Sequence, residues 1–334
     1  MLKLLEFLFF GFYTAAAIKT MKQLSIIVLL FSTGILFESV LGISQYFNQS
    51  SIGGTFYYFG ERAFNSQTPG IANASLNGAL ILRPYGTFSH PNVLAAYLTI
   101  AMIMVISNFK RFFFGIVLLT GSSALFLTMS RVAIVFWLLI LGYFLIPQIL
   151  TIFKRKKIIG LFVVLVFICS IGIYFSFSPI KYRFLTLSLA DESIVKRQEL
   201  ISQSIIMIKN NPIFGVGINN FLFNLKGYYL QPVHNIYLLI AAQTGLVGLA
   251  FFGWFLMKTF SQFSIFNFQF SIKQKKINFK ILNIKNSFKI SNFKFQILSL
   301  ILVLGLFDHY FLTLQQGQLM FAFVFGLCWA KIEG

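Results

Sequence analysis

Residues 235–257 read NIYLLIAAQTGLVGLAFFGWFLM, 23 positions without one charged side chain. A helix crossing the hydrocarbon core of a bilayer needs about 20 mostly apolar residues, and this run is long enough. Working outward, similar runs lie at about 4–18, 24–44, 93–109, 112–129, 132–150, 158–176, 297–312 and 317–331. Nine spanning helices would use about 180 residues. The chain of 334 residues is 57% hydrophobic and 10% charged, with a mean hydropathy of +0.82. A soluble domain is roughly 25% charged. These figures exclude a water-soluble globular enzyme, a disordered chain and a coiled coil. They predict an all-α polytopic membrane protein with about nine transmembrane helices, in one integral membrane domain over 1–334. The first run follows Lys3 in the manner of a signal peptide. A second run follows at once, with no convincing small-x-small cleavage site between them, so the first is read as a helix.

The net charge is +19, from 27 Lys and Arg against 8 Asp and Glu. In a soluble protein that excess would suggest nucleic acid. Here its distribution sets orientation, because cytoplasmic loops hold the excess of Lys and Arg. With Lys154, Arg155, Lys156 and Lys157 inside, alternation also puts Lys19, Lys22, Lys110, Arg111, Lys331 and the eight lysines of 258–296 inside. That side holds 17 cations, of which 2 are Arg; the other holds 10, of which 5 are Arg. Lysine suffices to hold a loop near anionic lipid. Arginine suits a planar grip on phosphate or carboxylate, so the outer face is where chemistry is expected. Two long loops, about 45–92 and 177–234, lie there and carry Gly, Pro, Asn and Ser. The lysine-rich stretch of about 258–296 reads as a low-complexity cytoplasmic loop against the inner leaflet.

Five groups of residues on the outer side stand out. The first is RPYGTFSHPN at 83–92, where Asn92 can cap the following helix but Arg83 and His90 are left to explain. The second is Ser130-Arg131, a cation between two apolar runs, which is costly unless solvated, paired or used. The third is RQELISQSIIMIKNNPIFGVGINNF at 197–221. Leu200, Ile201, Ser204, Ile205 and Ile208 fall on one helical face there, predicting an interfacial amphipathic helix stopped before Pro212. Gly215 and Gly217 permit tight turns without forming a dinucleotide fingerprint. The fourth is PVHNIYL at 232–238, where Asn235 can cap a spanning helix and His234 at its mouth can act as a base. The fifth is Asp308-His309-Tyr310 with Thr313-Leu314-Gln315-Gln316-Gly317-Gln318. An intramembrane Asp beside a His is functional by default. The chain has two Asp in all, Asp191 and Asp308, which makes a carboxylate-bound Mg²⁺ or Mn²⁺ site hard to assemble. The sequence therefore points to no metal and no cofactor.

These blocks, in this order, resemble the O-antigen ligase/polymerase family of bacterial envelope glycosyltransferases. The resemblance covers roughly residues 24–331 and rests on the five blocks quoted, the fourth extending as HNIYLLIAAQTGLVGL over 234–249 and the fifth as DHYFLTLQQGQL over 308–319. It implies a GT-C-like helical bundle in the bacterial plasma (inner) membrane, active on its external or periplasmic face. The family usually has about a dozen helices, so amino-terminal ones are expected to be missing. The implied reaction is a metal-independent, inverting transfer of a glycan from undecaprenyl pyrophosphate to a hydroxyl of a glycan, lipid or protein. Lipopolysaccharide biosynthesis and polysaccharide polymerisation both fall within this reading. The motifs match His234 to the general base and Arg131 and Arg197 to pyrophosphate binding. They give Asp308, Arg83 and Asn235 supporting places. The expected partners are the lipid-linked donor, the acceptor and membrane lipid, with no nucleic acid. The alternative is a polytopic transporter of lipid-linked glycan or an organic anion. A carrier would place charged or broken helices near the midplane, and only Glu6, Glu38 and Asp308 offer that.

Overall fold

The computed structural model describes residues 2–76, 79–108, 112–152, 192–227, 229, 231–263 and 280–333. The expected span 158–176, the basic segment 154–157 and residues 177–191 lie outside them. The chain forms two compact units, Leu24–Leu187 and Met1–Gln23 with Ser188–Gly334. Helices α1 (Leu2–Ala17) and α2 (Met21–Asn48) open the chain. Strands β1 (Asn73–Leu76) and β2 (Ala79–Leu82) then pair antiparallel, Asn73 opposite Leu82. Helices α3 (Pro91–Asn108), α4 (Phe112–Leu127) and α5 (Arg131–Ile152) follow. After them come α6 (Glu192–Asn210), α7 (Ile236–Phe260), α8 (Lys280–Leu304), the short α9 (Tyr310–Thr313) and α10 (Gln315–Trp329). Helices α2 and α7 are long and apolar enough to cross a membrane, and Pro91–Ser107, Phe114–Leu127, Arg131–Phe144 and Ile290–Leu304 are shorter apolar helices.

In the unit Leu24–Leu187, α3, α4 and α5 pack together, with the Trp137 indole donating to Ser122 Oγ at 2.9 Å. The segment after β2 is fastened to α2 by two polar side chains. Gln45 accepts from the backbone N–H groups of Tyr85 and Gly86 and donates to the Gly86 carbonyl and to Glu61. Glu38 accepts from the Thr87 N–H at 2.9 Å and from its hydroxyl at 2.5 Å. Glu61 in turn takes the N–H groups of Ile52 and Gly53, both at 2.8 Å. Buried carboxylates are tolerated when hydrogen-bonded this fully. Glu38 in an apolar helix thus has an architectural partner, the Thr87 turn.

In the other unit, α1 lies against α10 where Gly11 and Gly326 meet. A Cβ on Gly326 would run into the Gly11 carbonyl. Small residues permit such close helix crossings in membranes. At the opposite end of α10 from Gln315, the Lys294 ammonium of α8 donates to the Ala330 carbonyl at 2.5 Å, a cation at a helix C-terminus where unpaired carbonyls collect.

The structure corrects three boundaries. The stretch 280–296, expected to be loop, begins a helix that runs on to Leu304. The expected span 297–312 is broken, since α8 ends at Leu304 and α9 begins at Tyr310. Helix α3 begins at Pro91, so Asn92 is already inside it. The His90 carbonyl accepts from Val93 and Leu94 there, and the His90 ring accepts from the Asn92 N–H.

Candidate functional site

The break between α8 and α9 is stitched to the start of α7. The Ile236 N–H donates to the Gly305 carbonyl at 2.8 Å, Asn235 Nδ2 to the Leu306 carbonyl at 3.2 Å, and the Tyr237 hydroxyl to the Leu302 carbonyl at 2.8 Å. Gly305 is small because Ile236 occupies the space a Cβ would need. Asn235 caps α7, its side-chain oxygen accepting from the N–H groups of Tyr237 and Leu238, both at 2.9 Å. An Asn at this position satisfies donors that a helix start leaves orphaned. Asn235 thereby fixes the direction in which the preceding residue, His234, projects.

These contacts bring His234 and Asp308 together across 74 residues of sequence. His234 Nδ1 lies 3.2 Å from Asp308 Oδ1, with side chains 17% and 11% exposed. An ionised carboxylate only accepts. Beside an ionised Asp308 the proton belongs on Nδ1, and in the neutral ring that leaves Nε2 the lone pair a general base requires. The same Asp308 oxygen accepts the His309 backbone N–H at 2.9 Å. The His309 ring packs on the His234 ring, centroids 4.9 Å apart, and its Nδ1 lies 2.6 Å from the Thr313 hydroxyl. His309 sits in the break, outside the spanning helices. Burial pushes its imidazole down to about 4; neighbouring Asp308 opposes this, while His234 and Arg197 add to it.

Helix α6 brings Arg197 to the same unit. Its buried positions are Leu200, Ser204 and Met207, whereas Ile201 and Ile205 are 40% and 41% exposed. The expected face is thus divided: one side packs into a core with Phe221, Val233, Leu239 and Ala242, and the other stays open. Arg197 lies one turn before Leu200 and is half-buried. Gln203 clasps the returning chain, donating to the Lys226 carbonyl at 3.0 Å and accepting its N–H at 2.8 Å.

The remaining expected residues belong to the other unit. Arg131 is the first residue of α5, directly after a turn with Met129 at φ 53°. Arg83 is 6% exposed; its Nε donates to the Thr128 carbonyl and its Nη2 to Asn92 Oδ1, both at 2.7 Å. It ties the end of α4 to the start of α3. His309 and Thr313 were visible in the sequence beside Asp308, but nothing in the spacing assigned them to His234. His234, Asp308 and His309 also offer three possible ligand atoms within 4.8 Å of one another, so an ion could reach them. Two of those residues already share a hydrogen bond.

Apolar helices, two of them long enough to cross a membrane, with a histidine–carboxylate pair at the mouth of one, are consistent with a helical membrane protein. Residues 114–253 match the family model described as O-Antigen ligase. Over that segment the chain is similar to the O-antigen ligase/polymerase family, a family of glycan transfer. No curated protein matches the chain. The matched segment contains Arg131, Arg197, His234 and Asn235, whereas Arg83 precedes it and Asp308 follows it.

Proposed function

We propose that the protein transfers a glycan from undecaprenyl pyrophosphate to an acceptor hydroxyl on the external face of the plasma membrane, with inversion and without a metal. The observation that carries this reading is the His234–Asp308 pair at the capped start of α7. His234 Nε2 takes the proton of the acceptor hydroxyl as its oxygen attacks the anomeric carbon. The bond from that carbon to the pyrophosphate oxygen breaks with its electron pair. Attack from the face opposite the leaving group inverts the carbon. Asp308 holds the imidazole and stabilises the imidazolium that forms. Arg131 and Arg197 neutralise the negative charge growing on the pyrophosphate, the task a metal performs in other phosphate chemistry. Arg83 and Asn235 hold the helix ends from which these groups act.

Two expectations follow for transfer from a defined undecaprenyl-pyrophosphate donor. Activity survives EDTA. Loss in chelator, restored by Mg²⁺, Mn²⁺ or Zn²⁺, would instead make His234, Asp308 and His309 an ion site. Arg131→Ala and Arg197→Ala each weaken donor binding and turnover together. Loss of one charge-assisted hydrogen bond costs about 1.5–3 kcal/mol, or roughly 10–150-fold. Arg→Lys recovers part of this, because a point charge lacks the planar fork. The double variant falls short of additivity if both arginines grip one pyrophosphate. Unchanged donor affinity in both single variants would remove them from the donor site.

A further inference from the structure

Helix α7 does not run straight. Gly245 has φ 67° and ψ −172°, outside any helix. The rings of Tyr237 and Phe252 lie 6.2 Å apart, although a straight helix would separate residues 15 apart by about 22 Å along its axis. The two halves therefore meet at a sharp angle. In the second half, Leu246, Val247, Phe251, Trp254 and Met257 are 54%, 52%, 66%, 48% and 66% exposed. We read this open apolar strip as lipid-facing; the half of α7 that carries it, Leu246–Phe260, is shorter than a full membrane span.

The turn between α6 and α7 is built onto that break. The Val216 N–H donates to the Ala242 carbonyl and the Gly217 N–H to the Gln243 carbonyl, both at 2.9 Å, while the Leu246 N–H donates to the Pro212 carbonyl at 2.8 Å. Backbone groups freed by a helix break at membrane depth must be re-satisfied within the protein, and this turn does so. It also continues the lipid-facing strip beyond Leu246 and Val247, with Ile213 58% and Phe214 76% exposed and Ile218 and Phe223 at 64% and 87%. Residues 210–225 contain no charged side chain and are bracketed by Lys209 and Lys226. The stretch mixes exposed Ile213, Phe214, Ile218 and Phe223 with exposed Asn210, Asn211, Asn219, Asn220 and Asn224, and lysines flanking such a segment can reach lipid phosphates while its apolar side chains enter the acyl chains.

We infer that the turn from Pro212 to Phe223 is a lipid wedge, embedded among the acyl chains of the leaflet on the His234 side. It holds α6, and with it Arg197, against the membrane surface. Its occupant is bilayer lipid, because the turn prolongs the lipid-facing strip of α7 and carries no charge of its own. The inference rests on the membrane reading of α7, not on transfer activity.

The test uses the full chain with Cys169 and Cys328 replaced by Ser, a single Phe214→Cys labelled with an environment-sensitive fluorophore, and vesicles of phosphatidylcholine and phosphatidylglycerol. Gln198→Cys, on an exposed position of α6, is the aqueous control. The label at 214 should be quenched several-fold more by nitroxide-bearing lipid than by iodide, with the order reversed at 198. An Ile218→Cys label repeats the measurement if the first variant folds poorly. Iodide quenching at 214 and 218 equal to that at 198 places the turn in water, and quenching by neither reagent means that protein covers it. Either result overturns the inference. Loss of transfer with the quenching pattern intact would instead count against the proposed reaction alone.

Discussion

His234→Ala is expected to abolish the proposed glycan transfer and to leave binding of a lipid-linked donor intact. General base catalysis contributes about 10²–10⁴-fold, and the loss should reach that range, because His234 is the imidazole whose Nδ1 is held by Asp308. The nearest imidazole, His309, is buried, and its Nδ1 is engaged by Thr313. Donor binding should persist, because in the proposed reaction the base acts on the acceptor hydroxyl and the arginines hold the pyrophosphate. Asp308→Asn lowers turnover in the same direction. An amide at 308 can donate as well as accept, so it no longer enforces the tautomer with the proton on His234 Nδ1. His90→Ala is the control histidine: its ring accepts the Asn92 N–H at the start of α3, so its substitution touches a helix start and not the chemistry. The checks are single-turnover transfer and donor binding, with each variant's fold verified by size-exclusion chromatography.

The largest structural effect belongs to two glycines that interlock where the lipid wedge joins α7. Gly215 has φ 66° and Gly245 φ 67°, a left-handed conformation that costs another residue about 1–2 kcal/mol. Space is the further constraint. A Cβ on Gly215 would stand 2.5 Å from the Ala242 carbonyl oxygen and 2.6 Å from the Gly245 nitrogen. One on Gly245 would run into the Ile213 carbonyl and lie 2.6 Å from the Phe214 nitrogen. These neighbours are backbone atoms and cannot swing aside, and overpacking adds about 1–3 kcal/mol. Gly215→Ala and Gly245→Ala should each destabilise the protein by roughly 2–5 kcal/mol. The double variant should be little worse than either single one, since each opens the same junction. Gly253→Ala, in the same helix with open space around it, should be neutral or slightly stabilising because Ala is the better helix former. Thermal aggregation of detergent-solubilised protein reports all four. Equal midpoints for Gly245→Ala and Gly253→Ala would contradict the interlock.

The helices were legible wherever an apolar run ended at a charge or a turn. The runs 112–129 and 132–150 correspond to α4 and α5, and 317–331 to α10 within two residues at each end. Breaks inside apolar runs were not legible. Gly305 and Gly245 sit among leucines and isoleucines, and what interrupts their helices is a set of tertiary hydrogen bonds from Ile236 and from the Pro212 turn. The start of α8 was hidden for a different reason: its alternating Phe, Ile, Lys and Asn mask any helical period. For the site, residue types revealed His234 and Asp308 as separate candidates, because an acid or a histidine at an apolar helix mouth needs a reason. Their union depends on Asn235 and Tyr237 binding the end of α8, which no spacing encodes. Arg83 shows the converse. Its type suggested an anion, and only the fold displays its bonds to Thr128 and Asn92.

In the proposed reaction the His234–Asp308 pair is what separates a glycosyltransferase from a carrier. The most direct measurement is mass spectrometry and NMR of products formed by purified protein in proteoliposomes given a defined undecaprenyl-pyrophosphate glycan and a hydroxyl acceptor. The account predicts a new glycosidic bond of inverted configuration, stoichiometric release of undecaprenyl pyrophosphate, and neither with His234→Ala. Movement of intact lipid-linked glycan across the bilayer with no bond formed, equally in wild type and His234→Ala, would contradict it.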